Sequence, residues 1–185
     1  LSIRWIENKI NEYLNKLLKT KDHDYVIASD TDSIYLSLDK LVSETIVKQK
    51  PNATTREIIT FMDKACEDRI QPFIDKAYSE LAEYVNAFDQ KMQMAREVIA
   101  DKGIWTAKKR YILNVYNNEG VQYNEPQMKV MGLEMIKSST PSSIREMMKE
   151  SIKIMMTGTE DDVHKFIEDF RIRFKTLPPE EISFP

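Results

Sequence analysis

The stretch that most constrains this chain is residues 25–38, where two apolar runs, YVIA and IYLSL, flank the acidic break SDTDS. Both runs are short and rich in β-branched and aromatic residues, which suits strands, and the residues between them are turn formers. The pattern predicts a β-hairpin with Asp30 and Asp32 at its tip. One residue apart on an extended strand, their carboxylates would project to the same side. Close carboxylates repel unless positive charge sits between them, and a divalent metal supplies it well. The same spacing also suits an Asp-rich turn whose side chains cap their own backbone. Apolar flanks on both sides predict a buried hairpin, with the acidic pair as its charged break, and a buried acid requires a partner.

Composition limits what such carboxylates could hold. With two histidines and one cysteine in 185 residues, a histidine or thiolate zinc site is excluded, and carboxylate donors favour magnesium, manganese or calcium. The four glycines, Gly103, Gly120, Gly132 and Gly158, are too scattered for a phosphate-binding loop or a dinucleotide fingerprint. Lys and Arg number 27 against 30 Asp and Glu, a net charge of -3, so any nucleic-acid contact must come from a local patch. No run approaches the ~20 apolar residues that span a bilayer. The first residues, LSIRWIENKI, do not form a signal peptide, and a cytoplasmic location with no membrane is expected. Cys66 has no internal disulfide partner and reads as a small buried or half-buried thiol. A start inside a helical pattern and an end at Pro185 after ISFP suggest a piece of something longer.

Along the chain, Ile3, Ile6, Ile10, Leu14 and Leu17 recur at helical steps, predicting an amphipathic helix over 3–19. Residues 39–53 read as a surface connection with some helix. Thr54 with Glu57 has the spacing of a capping box, and Ile58, Phe61, Met62, Ala65 and Ile70 follow on one face until Pro72 breaks or kinks the helix. Helical spacing resumes from Phe73 to about Phe88. KMQMAREVIA, WTAKKRYILNVY and VQYNE each suit a strand and together predict a β-meander. Beyond Gly132, KSSTPSS supplies helix-start chemistry, and helices are predicted over 142–157 and 160–176, with a domain boundary near 132–138. The paired methionines at 147, 148, 155 and 156 read as a flexible core face, and Trp105 as a core or rim residue.

Preceded by an apolar strand, DTDSIY resembles motif C of the family B DNA polymerases. WIENKINEYLN before it, then REVIA at 96–100, WTAKKRYILNVY at 105–116 and MGLEMIKSSTP at 131–141, follow the order found in the T-even-like phage members. The resemblance thus covers nearly the whole chain. It implies an α+β fold: an antiparallel palm sheet backed by helices over residues 1–132, then the start of a helical thumb over 133–185. It implies that Asp32 binds both catalytic magnesium ions, with Asp30 as an auxiliary carboxylate. Two such ions ~4 Å apart serve in-line phosphoryl transfer. In the family's KKRY motif the second lysine, here Lys109, reaches the minor groove of the primer-template and Tyr111 contacts the primer terminus. Lys137, Ser138 and Ser139 match a thumb-entry segment that holds primer phosphates. Glu97 matches a supporting acidic position near the metals, although the phage members often carry Asp where this chain has Ala95.

Strand alternation sends Lys109 and Tyr111 to one face and Lys108 and Arg110 to the other, so the four cannot share one role. Without the resemblance, KKRY reads as a solvated basic strand, and the residues from Lys137 to Ser139 as an ordinary helix cap. Ala28-Ser29 stands where the family has Tyr-Gly, which adds the Ser29 side chain near the expected primer end. No segment matches the family's motif A or motif B. The missing upstream polymerase segments would supply both, and the chain alone is expected to be inactive. Implied partners are primer-template DNA, deoxynucleoside triphosphates and, in the full protein, a sliding clamp, in the cytoplasm of an infected bacterium. Two alternatives stay open: another two-metal phosphoryl-transfer enzyme such as a nuclease, and a non-catalytic DNA-binding or assembly piece of a split polymerase.

Overall fold

The apolar stripe at the start of the chain needs a partner face, and it finds one about seventy residues later. In the computed structural model, which describes residues 1–183, helix α1 spans Ser2–Leu17 and buries Ile6, Ile10 and Leu14. These pack on Ile74, Ala77, Tyr78 and Leu81 of α4, Gln71–Tyr84. At the rim of the seam Trp5 Nε1 donates to the Ala77 carbonyl at 2.8 Å, and Tyr13 stacks on Phe73 with centroids 4.3 Å apart.

The predicted hairpin is present. Strand β1, Val26–Ser29, pairs antiparallel with β2, Ile34–Leu36, in the register Val26↔Leu36, Ala28↔Tyr35 and Ser29↔Ile34. A bulge between Val26 and Ala28 turns Ile27 out of step, leaving it 51% exposed. The hairpin is not the buried one expected. Beyond Tyr25 and Val26, which join the α1–α4 core, its residues are half-buried or exposed.

Residues 39–53 begin with the short helix α2, Asp39–Val42, which runs into a π-helical turn over Ser43–Val47. The capping box then forms as read. Thr54 Oγ1 accepts from the Glu57 amide at 3.3 Å, and a Glu57 carboxylate oxygen accepts from the Thr54 amide at 2.9 Å, opening α3, Thr55–Ala65. The α-helical winding of α3 is interrupted just before Pro72. A π-helical turn over Cys66–Ile70 joins α3 to α4 and places Pro72 in the first turn of α4.

The second half opens with a three-stranded meander in the order β3–β4–β5: Val98–Ala107, Arg110–Asn118 and Val121–Met131. Two expectations fail here. Residues 91–97 form no strand, so the strand expected in KMQMAREVIA begins only at Val98. WTAKKRYILNVY is not one strand but two, turning at Lys108 and Lys109. Pairing the halves with each other satisfies backbone groups that one long strand would leave along an edge. The next turn is better encoded: Glu119 and Gly120, at φ 48° and 88°, make a two-residue turn of the left-handed type that suits hairpins.

A 3₁₀ turn at Glu134–Ile136 leads to α5, Ser142–Thr157, and α6, Glu160–Thr176, whose bounds coincide with the expected helices, followed by the short α7, Pro179–Ile182. Met147 and Met156 of α5 are buried, and Met156 packs with Ile112, Met135 and Ile152, with Met148 against the same cluster, as read for a methionine-lined core. Met155, by contrast, is 46% exposed. Trp105 is half-buried, at the rim.

The α+β fold is as expected. The residues cluster in two units, Leu1–Ile99 with Tyr116–Glu125, and Ala100–Val115 with the chain from Pro126 onward. Of the segment expected as thumb, residues 184 and 185 lie outside the described ones. Among the described residues no helix is long and apolar enough to cross a membrane.

The capping box carries a pH dependence. Hydrogen bonds from Lys50 and from the Thr54 amide pull the Glu57 carboxyl from its ordinary 4.5 down to about 2. A folded-state value below the unfolded one stabilises fully above 4.5, and that contribution is lost as pH falls toward 2. Glu57→Gln keeps the shape and removes the charge. Its denaturation midpoint should fall below that of the unmodified chain above pH 4.5, with the gap closing as pH falls toward 2. A gap independent of pH would refute the assignment.

Candidate functional site

A four-residue strand paired with a three-residue strand cannot hold itself in water, and α1 supplies the support. Asn11 Oδ1 accepts the Tyr25 amide at 2.8 Å and the Val26 amide at 3.3 Å, while its Nδ2 donates to Asp24 at 2.9 Å. One turn on, Asn15 Oδ1 accepts from the His23 amide and the Thr20 hydroxyl, at 2.9 Å and 2.7 Å. Two side chains of the polar face of α1 thereby hold the entry to β1.

At the other end of β1 the Asp30 amide donates to the Ser33 carbonyl at 2.9 Å and closes the hairpin around Thr31 and Asp32. Asp30 Oδ1 accepts from the Thr31 amide at 2.8 Å and from its hydroxyl at 3.2 Å, the turn-capping role read as the alternative. Asp32 lies in the bend, not on a strand, so the expected same-side projection of the pair has no basis. Asp30 is half-buried and Asp32 exposed. The premise of buried acids therefore fails, because water reaches the tip. Ser29, where the resemblance expects Gly, pairs opposite Ile34 as an ordinary strand residue.

The donors at this tip are hard oxygens, which suit a hard divalent cation. They are only two. Among the described residues no group of three or more His, Cys, Asp or Glu gathers to hold a metal ion. Glu97 belongs to the same unit and is exposed, and its carbonyl accepts the Glu119 amide at 2.7 Å.

Its neighbour Arg96 is the residue that the sequence reading passed over. The guanidinium donates to Asn117 Oδ1 at 2.6 Å and to Asp63 of α3, and Asn117 Nδ2 donates to Asp63 at 3.3 Å. Asn117 Oδ1 also accepts the Gly120 amide at 3.1 Å. Asn117 is wholly buried. The cluster ties α3, the segment entering β3 and the β4–β5 turn together, with Glu97 and Glu119 on its margin. Beside it, burial raises the Cys66 thiol to about 11, so this cysteine is inert at neutral pH.

The basic candidates lie in the other unit. Lys108, Lys109 and Arg110 are exposed, with Lys109 in the turn at φ 60°. Alternation therefore does not separate Lys109 from Lys108. Tyr111 starts the buried run of β4 at 8% exposure, with the Trp105 ring 6.5 Å away. Lys137, Ser138 and Ser139 are exposed, and the two serines form the centre of a turn in which the Thr140 amide donates to the Lys137 carbonyl at 3.2 Å. Neither serine caps α5, whose N-cap is Pro141 with no side-chain cap bond. Glu134 brings two candidates together, pairing with Lys137 at 3.1 Å and Arg110 at 3.9 Å. Sequence reasoning assigned Glu134 no role of its own, although it stands in the GLE of the 131–141 block.

Similarities to known proteins cover most of the chain. The profile of the divergent family B DNA polymerases matches residues 16–169. The DNA-directed DNA polymerase of Enterobacteria phage T4 is 37% identical over 185 residues, 96% of this chain and 20% of that protein. That of Escherichia phage RB69 is 42% identical over 168 residues, 86% of this chain and 18% of that protein. The chain thus spans about a fifth of the length of these curated relatives.

The buried cluster is testable by stability. Asn117→Ala removes an acceptor from Arg96 and from the Gly120 amide and a donor to Asp63. Leaving such groups unpaired should cost about 2–3 kcal/mol in urea denaturation. A loss under about 0.5 kcal/mol, that of an ordinary surface change, would show that the cluster carries little.

Proposed function

The chain belongs to the divergent family B DNA polymerases, and from that footing we propose that it is part of a DNA-directed DNA polymerase extending a primer 3′-hydroxyl. The observation that carries the reading is the DTDS tip: a short hairpin held from below by α1, with Asp30 braced by Thr31 and Asp32 open to solvent. A carboxylate so presented can meet a cation and a substrate from outside the chain.

On this reading Asp32 and Asp30 would hold divalent cations, magnesium by the hardness of the donors. When bound, such ions lower the pKa of the attacking hydroxyl and neutralise triphosphate charge. The division of labour between the two acids follows from their hydrogen bonds. Asp30 has one oxygen committed to the turn and serves as the fixed member, whereas Asp32 is free to take up the geometry that substrate imposes. Glu97 is the supporting acid, its backbone fixed through Glu119 and its neighbour Arg96.

Lys109, at the exposed turn, would reach acceptors in the minor groove, where all correct pairs look alike, with Lys108 and Arg110 flanking it. Tyr111, buried next to that turn in sequence, would meet the primer terminus. Lys137, Ser138 and Ser139 would take primer phosphates together with the first amides of α5. Residues 1–132 would then be palm and 133–185 the start of the thumb. In the whole protein the partners would be primer-template DNA, deoxynucleoside triphosphates, segments bearing motifs A and B, and a sliding clamp, in the cytoplasm of an infected bacterium.

The test is primer extension by a polymerase carrying this chain. Asp32→Asn should reduce extension by more than the ~10–100-fold typical of losing an outer-shell group. The 185-residue chain alone, which contains no motif A or motif B pattern, should give no extension. Extension by the Asp32→Asn polymerase within a few-fold of the parent would sink the assignment.

A further inference from the structure

The Lys108–Lys109 turn contains none of the residues that make such turns easy. Lys109 sits at φ 60°, a conformation in which a β-carbon crowds the backbone and which glycine adopts far more readily. Neither lysine has the short polar side chain that eases the strain for Asn or Asp. Something beyond the turn must help to hold it.

Gly132, in the bend after β5, lies against it. Its own φ is 69°, and a β-carbon there would fall 2.1 Å from the Lys109 carbonyl oxygen and 3.2 Å from both the Lys109 carbonyl carbon and Arg110 Cγ. The obstructing atom is backbone, so no rotamer change relieves the collision. Two left-handed residues, one in a turn and one in a bend, thus meet backbone to backbone. The nearby pairs of Glu134 with Arg110 and Lys137 are about half exposed, and water screens such pairs so that they hold weakly. The close approach is the stronger constraint.

We propose that Gly132 is a positioning residue: its lack of a side chain lets the chain after β5 seat against the Lys109 carbonyl, which fixes how Lys109 and Arg110 are presented to primer-template DNA. The inference rests on the reading of Lys109 as a DNA contact.

Gly120 provides a matched control. It too has a left-handed backbone, at φ 88°, but a β-carbon there would meet nothing within 4 Å. Gly120→Ala and Gly132→Ala therefore impose similar backbone strain, and only the second adds the collision. The readouts are affinity of the 185-residue chain for a primer-template duplex, by fluorescence anisotropy, and hydrogen exchange at the amides of residues 108–110. Gly120→Ala should leave both unchanged within about twofold. Gly132→Ala should weaken binding roughly fivefold or more, the low end of a lost base-edge contact, and speed exchange at 108–110. In a Lys109→Ala background Gly132→Ala should weaken affinity by less than in the parent, the remainder being carried by Arg110. Gly132→Asn, which tolerates the left-handed backbone yet keeps the β-carbon, serves should the alanine variant not fold. Equal behaviour of the two alanine variants, or fully additive losses with Lys109→Ala, overturns the proposal. If the unmodified chain does not bind the duplex, or Lys109→Ala binds as well as its parent, the DNA-contact reading fails instead. Exchange at 108–110 then decides alone whether Gly132 holds the turn.

Discussion

A hairpin of six paired residues has too little sheet to stand by itself, and the acidic tip depends on the hold that α1 has on the other end of β1. The support is of two kinds. Tyr25 and Val26 enter the apolar seam between α1 and α4, which ties the strand to the main core of its unit. Asn11 and Asn15 then satisfy the backbone groups that a lone strand would leave to water. The same helix thus serves the hairpin with its apolar face and with its polar one. What reaches solvent at the far end is a pair of carboxylates on a rigid base, with one of them held by its own turn.

The two connections of the meander show how differently a turn can be specified. Glu119-Gly120 follows local rules: glycine accepts the left-handed backbone, and the flanking strands need only meet. Lys108-Lys109 breaks them, which is why residues 105–116 read as one strand. Period-two alternation cannot reveal a turn made of residues that are equally at home in a strand. The helices were legible for the opposite reason. Thr54 with Glu57, and Pro141 before Ser142, mark starts by chemistry that acts within one turn, so α3 and α5 begin where the pattern placed them.

The candidate site was legible as residues and not as geometry. DTDS and KKRY were found by their order along the chain, but the inference that apolar flanks bury Asp30 and Asp32 was wrong, because a short strand with a bulge covers only one end of the hairpin. REVIA drew attention to Glu97, whereas the side chain doing the structural binding is Arg96, with Asn117 twenty-one residues away and Asp63 thirty-three away. Such a cluster is assembled from three elements that share no local pattern. Sequence periodicity carries information about faces, and this contact is made at ends and turns.

Lys109 is a residue that selection for stability alone would remove. Glycine or asparagine at that position would relieve the left-handed backbone, so consensus design or directed evolution under heat would converge on one of them. The ammonium would disappear without any sign of harm in a melting curve. On the reading of Lys109 as a DNA contact, its side chain is kept at the cost of that backbone strain, and thermostabilised versions of this chain should be scored on function at this position before any gain in robustness is accepted.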